Sequence, residues 1–530
     1  MFIIKSKRKR ALAPHEPIKH ESHKRPVTRR DFLAQGFITG AATVVAPSIL
    51  GALLNPRVAR ALSPDVEALA RGICNIQQGA GKIPFICFDL AGGASIAGSN
   101  VLVGQQGGQL DFLSTQGYSK QGLPGNMLPN NATANFVNDE LGLRFHARSA
   151  FLRGILEKTS PATRANINGA VIPARSENDT GNNPHNPMYG IAKAGAKGEL
   201  LTLIGSQNSD SGGNSMAPAI LMDPSNRPTK IDRSNDAVGL VDTGALADLL
   251  PNSADTVAVM ESMVRISQLK LNNPNVKTGL ATDGKIKEQA LCGYVKTADT
   301  VERFSSPSAL NPAADPDIIG PGGVFGADFG GEREFEKTAS VMKLVIEGYA
   351  GAGTISMGGF DYHTGERATG ERRDYLAGRA MGACLEFAAK RGKPLMLYVF
   401  SDGSLSSNGR IDDSVDGGGK GEWTGDNQQV AAAFFLVYNP GGRAILLQEN
   451  GIPIERRRQL GYFRRDGDVE TASSPAANNV NLLVQTVLLN YMALHTEDDD
   501  FNNLFGGSLG TDATLRSQIA FAPIVNGRIT

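Results

Sequence analysis

Cysteine and tryptophan are scarce in this chain, which has four cysteines and one tryptophan among 530 residues. No two cysteines form a CxxC pair, so the sequence gives no support for a zinc knuckle, a thioredoxin-like centre or an iron–sulfur cluster. The pattern leaves open whether these residues form disulfides or remain buried thiols; they are Cys74, Cys87, Cys292 and Cys384. Histidine is also rare, and only four of the seven histidines lie beyond residue 61.

No apolar run beyond residue 61 is long enough to predict a membrane span. The first 61 residues contain a basic region, the paired Arg29 and Arg30, an apolar stretch over Phe37–Leu54, and small residues ending at Ala61. This order predicts a signal peptide over residues 1–61, recognised by the twin-arginine export machinery and cleaved after Ala61. We therefore expect a periplasmic or otherwise exported protein with no permanent membrane span after cleavage. The alternative is a retained anchor, which the short apolar run, interrupted by glycine and proline, does not favour.

The charge balance excludes a further class of partner. The whole chain has 53 basic and 53 acidic residues, and residues 1–61 hold 12 of the basic and 3 of the acidic ones. The mature chain therefore has 41 basic and 50 acidic residues, a net charge of −9. Because nucleic-acid affinity depends on neutralising phosphates, we expect no nucleic-acid partner.

Apolar runs of strand length alternate with helical segments after residue 61. A helix predicted over Glu366–Arg391 stands between two predicted buried strands, and the strands of such a unit run parallel. Further strands and a late helix are predicted around residues 82–93, 428–442 and 478–495. We predict an α/β fold, a three-layer sandwich with a mostly parallel central sheet.

Glycine, asparagine and proline are dense between about residues 104 and 330. This composition predicts long loops, with helices over Thr256–Lys270 and Lys285–Arg303 between them. We interpret the stretch as a loop-rich insertion or cap within one domain that spans residues 62–530.

Three apolar runs end on an aspartate, at Asp89, Asp361 and Asp402. Because the carboxyl ends of parallel strands meet at one edge of a sheet, we expect these carboxylates to lie close together. His363 follows Asp361 by two positions, a spacing that points both side chains the same way in extended backbone. Oxygen ligands with one imidazole suit a divalent cation, so the sequence predicts a site for zinc, manganese, magnesium or calcium.

An aspartate after a strand also has a purely structural use. Its side chain accepts backbone N–H groups at a helix N-terminus or in an Asx turn. That alternative stays open for each aspartate taken alone, and the recurrence at three strand ends is the reason to expect a shared site.

The order of these segments resembles a known family. The leader is followed by a glycine-rich turn ("DLAGGASIAGSN"), then by "GGFDYHTG", a long helix and "YVFSDG" with a glycine-rich loop. This order is similar to that of a widespread family of twin-arginine-exported bacterial proteins related to the alkaline phosphatase and sulfatase superfamily. The resemblance covers roughly residues 82–100 and 355–440. It implies an alkaline-phosphatase-like fold and metal-assisted hydrolysis of a phosphate or sulfate ester.

The resemblance also implies further site residues, with departures from the family pattern. A downstream Asp-His-Gly of the family stands here as Asp-Asn-Gln, so Asp426 and Asn427 are the implied additional metal ligands. The first turn reads Gly-Gly-Ala-Ser at residues 92–95, where the family has Gly-Gly-Asn-Asp. Ser95 and Ser99 in this turn are candidate nucleophiles, although serine is common in glycine-rich turns.

The segment "DTGNNPHNP" is a second polar cluster. Asp179, Asn183 and His185 offer the hydrogen-bond donors and acceptors that binding of a substrate oxyanion or sugar requires. The alternative is a surface loop whose asparagines stabilise turns.

The sequence as a whole predicts an exported metal-binding hydrolase that acts on small-molecule esters. A non-catalytic binding or accessory protein of the cell envelope, with the same fold, is the alternative.

Overall fold

The computed structural model describes residues 62–74, 81–130, 133, 135–176, 183–241, 253–303, 307–449 and 451–529. The predicted signal peptide lies outside the described residues. Within these ranges seven strands form the central sheet: β1 (Phe85–Leu90), β2 (Ile167–Pro173), β3 (Leu201–Gly205), β4 (Thr229–Lys230), β5 (Ala350–Met357), β6 (Leu395–Ser401) and β7 (Ala432–Tyr438).

The strand order in this sheet is β2-β7-β6-β1-β5-β3-β4. Strand β1 pairs in parallel with both β5 and β6, and β3 pairs in parallel with β5 and β4. Strand β7 runs antiparallel to its neighbours β6 and β2. The prediction of an α/β protein with a mostly parallel sheet is confirmed.

The helices of the described ranges are α1 (Pro64–Arg71), α2 (Thr115–Lys120), α3 (Ala150–Lys158), α4 (Pro161–Ala165), α5 (Met188–Lys193), α6 (Ser234–Gly239), α7 (Ser253–Leu271), α8 (Asp283–Arg303), α9 (Pro316–Ile319), α10 (Arg333–Ile346), α11 (Arg367–Lys390), α12 (Val480–Ala493), α13 (Phe501–Phe505) and α14 (Asp512–Ser517). Short antiparallel ribbons join Val137–Asn138 to Phe145–His146, Leu405–Ser406 to Gly425–Asp426, and Ile411–Asp412 to Lys420–Gly421. None of the described helices combines the length and the apolar character needed to cross a bilayer.

Helices cover both faces of the sheet, which explains why its central strands are continuous apolar runs. Every residue of β1 and β6 is buried. On one face Phe85 meets Tyr491 of α12 edge to face, with ring centroids 5.7 Å apart, and Ala352 belongs to the same core. The adjacent Gly353 faces the other side of the sheet. Helix α10 packs there so closely that a Cβ on Gly353 would lie 2.5 Å from Val341. Strands buried on both faces lose the apolar–polar alternation of a half-exposed strand.

The chain divides into two compact units. The first comprises residues 1–76 and 243–306, where α1, α7 and α8 share a core and a disulfide joins Cys74 to Cys292. The second comprises residues 77–242 and 307–530 and contains the central sheet. Three of its strands, β2, β3 and β4, come from the stretch that the sequence predicts to be an insertion. The remaining cysteines, Cys87 and Cys384, are buried free thiols.

Candidate metal centre

The predicted aspartates lie at the carboxyl edge of the sheet, where β1, β5 and β6 end. Asp89 is the penultimate residue of β1 and pairs in register with Ser356 of β5 and Phe400 of β6. Asp402 follows β6 directly, whereas Asp361 lies four residues beyond the end of β5. The strand therefore ends before Asp361, where the apolar run was expected to end, and Asp361 and His363 belong to the loop between β5 and α11.

Asp361, His363 and Asp426 form a compact cluster in this region. The Nδ1 atom of His363 lies 2.5 Å from Asp361 Oδ1 and 3.5 Å from Asp426 Oδ1. One ligand atom from each residue lies within 4.8 Å of the other two. The side chains of Asp361, His363 and Asp426 are 65%, 32% and 42% exposed, so the cluster opens to solvent. Two carboxylate oxygens and one imidazole nitrogen match the donor set of zinc or manganese sites.

Buried Tyr362 fixes the loop that carries two of these side chains. Its hydroxyl donates to Asp374 Oδ1 of α11 at 2.8 Å, and its ring lies so close to Gly370 that a Cβ there would be 2.8 Å from it. Because Tyr362 points into the protein, Asp361 and His363 on either side of it face the solvent. The ribbon between Gly425–Asp426 and Leu405–Ser406 brings Asp426 to the same place.

Asp89 is buried and its carboxylate accepts several hydrogen bonds from one loop. Oδ2 accepts from the backbone N–H of Asn214 at 2.6 Å and of Ser215 at 2.8 Å, and Oδ1 accepts from Ser215 Oγ at 3.1 Å. Burial raises the pKa of Asp89 to about 7, and the nearby charge of Asp402 adds to the rise. A Cβ on Gly213 would lie 2.6 Å from Asp89 Oδ2, so the loop approaches this closely only with glycine there.

Asp402 is also buried and connects the inner carboxylate to the exposed cluster. Its Oδ1 accepts from Gly92 N at 2.8 Å, and its Oδ2 lies 3.4 Å from Asn214 Nδ2. Burial is the main cause that raises the pKa of Asp402, and the charge of Asp361 acts in the same direction. The three predicted aspartates are thus neighbours, but Asp89 and Asp402 serve chiefly as acceptors that fix the loops around the cluster.

Gly92 permits the close approach of the first turn to Asp361. Its φ angle is +122°, and a Cβ there would lie 2.6 Å from Asp361 N and 2.9 Å from Asp361 Cβ. Any side chain at this position would clash with the backbone that carries the cluster.

The other predicted ligand and substrate residues have structural partners. Asn427 Oδ1 accepts from Gln429 N at 3.0 Å and so caps the short helical turn over residues 428–430. Asn183 Nδ2 donates to the backbone oxygen of Asp402 at 2.8 Å. His185 is buried, where it stacks on Phe400 and bonds Ser176, and burial lowers its pKa to about 3. Asp179 lies outside the described residues.

Both candidate nucleophiles are buried. Ser95 is 2% exposed and Ser99 is fully enclosed. Among the described residues Ser99 Oγ has no hydrogen-bond partner. Neither serine faces solvent beside the cluster of Asp361, His363 and Asp426.

The loop over residues 206–216 is the part of the site that sequence reasoning missed. Its Asn214 contacts both inner aspartates, Asp89 and Asp402, and its Ser215 contacts Asp89. The available signal was a turn rich in serine, asparagine and glycine directly after the apolar run that forms β3.

Comparison with known proteins gives no match to this chain, whether with protein-family models, with curated proteins or with solved structures. The chemistry of the site is therefore the basis for a functional assignment.

Proposed function

We propose that the protein is an exported, metal-dependent hydrolase of phosphate or sulfate esters, with a divalent cation held by Asp361, His363 and Asp426. The observation that carries the proposal is the oxygen–nitrogen–oxygen donor set within 4.8 Å at the carboxyl edge of a mostly parallel sheet. Ligand sites of open α/β sheets lie at that edge. Twin-arginine export and an alkaline-phosphatase-like architecture belong to the proposal and rest on the leader and on the segment order.

The donor residues fit a cation in number, chemistry and access. Two carboxylates offset a divalent charge, and the imidazole adds the nitrogen donor that is common at zinc sites. All three side chains are partly exposed, so an ion and a small ester can both reach them. A bound cation would supply Lewis-acid polarisation of the ester oxygen and a more acidic water.

The surrounding residues would keep this donor set in position. Asp402 holds the backbone of Gly92 against Asp361, and Tyr362 anchors the loop to α11. Because the first of these contacts is partly buried and the second is buried, the ligands need little reordering when an ion binds, which lowers the entropic cost of binding.

A non-catalytic binding protein of the cell envelope is the second candidate. The burial of Ser95 and Ser99 favours it, because neither of these two candidate nucleophiles is exposed beside the cluster. Asn427 Oδ1 also has a structural role as a helix cap, and the compact cluster of carboxylate and imidazole donors consists of three residues.

Elemental analysis and an ester assay together test the proposal. The mature protein is dialysed against zinc, manganese, magnesium or calcium, then assayed with p-nitrophenyl phosphate and p-nitrophenyl sulfate. We expect about one equivalent of metal and measurable turnover, both lost in an Asp361→Ala/His363→Ala variant. Asp499→Ala removes an exposed carboxylate elsewhere and serves as the matched control.

The outcomes separate the two candidates. Equal metal content in the wild type and the double variant would refute the site itself. Firm metal binding that depends on Asp361 and His363, without turnover of either ester, would refute the hydrolase and support the binding protein.

A further inference from the structure

A second cavity, separate from the cluster of Asp361, His363 and Asp426, lies between the N-terminus of α3, helix α11 and the loop over residues 412–420. Its volume is about 420 Å³, within the range of roughly 300–1,000 Å³ that is usual for small-molecule sites. The lining residues that matter for its chemistry are Arg148, Leu152, Arg153, Leu156, Val415 and Lys420.

Two arginines of this cavity have no acidic partner. The guanidinium of Arg148 lies 6.0 Å from the ring centre of Phe136, and that of Arg153 lies 4.4 Å from the ring centre of Tyr375. Among the residues that the structure describes, neither guanidinium forms an ion pair or a hydrogen bond. The aromatic rings orient the two cations but leave their N–H donors open for a ligand.

The buried floor of the cavity does not neutralise these arginines. Glu371 is a carboxylate at the floor, but Lys420 Nζ donates to both of its oxygens at 2.8 and 2.9 Å. Arg367 Nη2 donates to the same carboxylate at 2.7 Å. Asp416 at the rim pairs with Arg372, which lies outside the lining. Both carboxylates of the lining, Glu371 and Asp416, are therefore paired with other cations. The positive charges of Arg148 and Arg153 are not neutralised by them.

The N-terminus of α3 adds positive potential at the same wall. Ser149 caps this helix of nine residues, and its Oγ accepts from Leu152 N at 3.1 Å. Phe151 N donates to Asn100 Oδ1 at 3.3 Å, so these N–H groups already have acceptors and the helix contributes only the positive end of its dipole. The helix end supports the charge argument but would not define a site without the two unpaired arginines.

Apolar side chains also line this cavity. Leu152 and Leu156 line the cavity from α3, and Val415 stands at the tip of the 412–420 loop with 98% of its surface exposed. A valine in full contact with water gains free energy when a ligand covers it. The cavity therefore joins an oxyanion-binding wall to an apolar surface.

We propose that this cavity binds a small amphipathic oxyanion, that is, a carboxylate or phosphate monoester with a short hydrocarbon body. Arg148 and Arg153 bind the oxyanion as open guanidinium forks. Leu152, Leu156 and Val415 cover the hydrocarbon part. This binding requires no metal ion and is independent of the proposed esterase activity.

Isothermal titration calorimetry with defined probes tests the proposal. Octyl phosphate and octanoate are titrated into the mature protein in the presence of a chelator, so that the proposed cation site makes no contribution. Octylammonium has a similar hydrocarbon body with the opposite charge, and inorganic phosphate has the charge without the body. We expect binding of octyl phosphate, octanoate or both. Octylammonium and inorganic phosphate should bind at least about tenfold more weakly.

An Arg148→Gln/Arg153→Gln variant should bind the alkyl anions at least about tenfold more weakly. Arg227→Gln is the matched control, because Arg227 pairs with Asp210 away from the cavity. If the double variant has a lowered melting temperature, Val415→Asp replaces it, since this position is exposed and unneeded for packing. Absence of alkyl-anion binding, or equal affinity in the wild type and the variant used, would overturn the proposal.

Discussion

Replacing Asp374 by asparagine should remove a large part of the pH dependence of stability. Asp374 is buried in α11, where it accepts hydrogen bonds from Tyr362 Oη at 2.8 Å and from Asn100 Nδ2 at 2.6 Å. Burial raises its pKa from 3.8 to about 7, and the charge of Glu371 contributes. The folded protein therefore binds the proton of Asp374 more tightly than the unfolded chain does.

The sign and size of the effect follow from this difference. A pKa that is raised in the folded state gives stability that is complete below pH 3.8 and is lost as the pH rises through 7. Between pH 5 and pH 8 the free energy of unfolding should fall by about 2–3 kcal/mol from this group alone. An amide has the size of the carboxyl group and stays uncharged, so Asp374→Asn should lose this part of the slope.

Urea unfolding of the wild type and Asp374→Asn at pH 5, 6, 7 and 8 measures the effect. Any pH-independent cost of the amide shifts the free energy of unfolding of Asp374→Asn equally at all four pH values. The readout is therefore the difference between the two proteins in the slope of this free energy against pH. Asp499→Asn, at an exposed carboxylate, is the control and should follow the wild type. Parallel pH profiles for the wild type and Asp374→Asn would show that the pKa of Asp374 is not raised in the folded protein.

Three further substitutions test the packing around the site and in the first unit. Gly92→Ala should displace the backbone of Asp361 and destabilise the fold by about 1–3 kcal/mol, with weaker metal binding; unchanged metal affinity would contradict the close approach. Cys74→Ser/Cys292→Ser should cost about 2–4 kcal/mol and lower amide protection in α7 and α8 by hydrogen exchange. Unchanged exchange in both helices would speak against that disulfide. Arg367→Met removes one of the two cations that pair with the buried carboxylate of Glu371, and it should lower the free energy of unfolding in urea by about 3 kcal/mol. A loss below about 1 kcal/mol would show that Lys420 alone is enough to stabilise this carboxylate.

The sheet and the edge position of the aspartates were predictable because they depend on local patterns. Uninterrupted apolar runs predicted β1 and β6, and a strand–helix–strand unit implies parallel strands whose carboxyl ends meet. The helices predicted over residues 366–391 and 478–495 agree closely with α11 and α12. The antiparallel direction of β7 was not predictable, because an apolar run has the same composition in either direction.

The details of the site depend on tertiary contacts that no local pattern records. Strand β5 ends at Met357, before Gly358 and Gly359, and the latter has a φ of +86°. The apolar pattern alone did not reveal this early end. Asn214 approaches Asp89 from 125 residues away in sequence, so only the folded sheet brings the two together. The burial of Ser95 was likewise set by packing and not by its glycine-rich surroundings.

Anomalous diffraction from crystals of the mature protein soaked with zinc locates a bound cation directly. We expect a single strong peak about 2.0–2.2 Å from one donor atom each of Asp361, His363 and Asp426. The peak should be absent in crystals of Asp361→Ala/His363→Ala. A wild-type map without a peak at these three residues, or an unchanged peak in the double variant, would contradict this expectation.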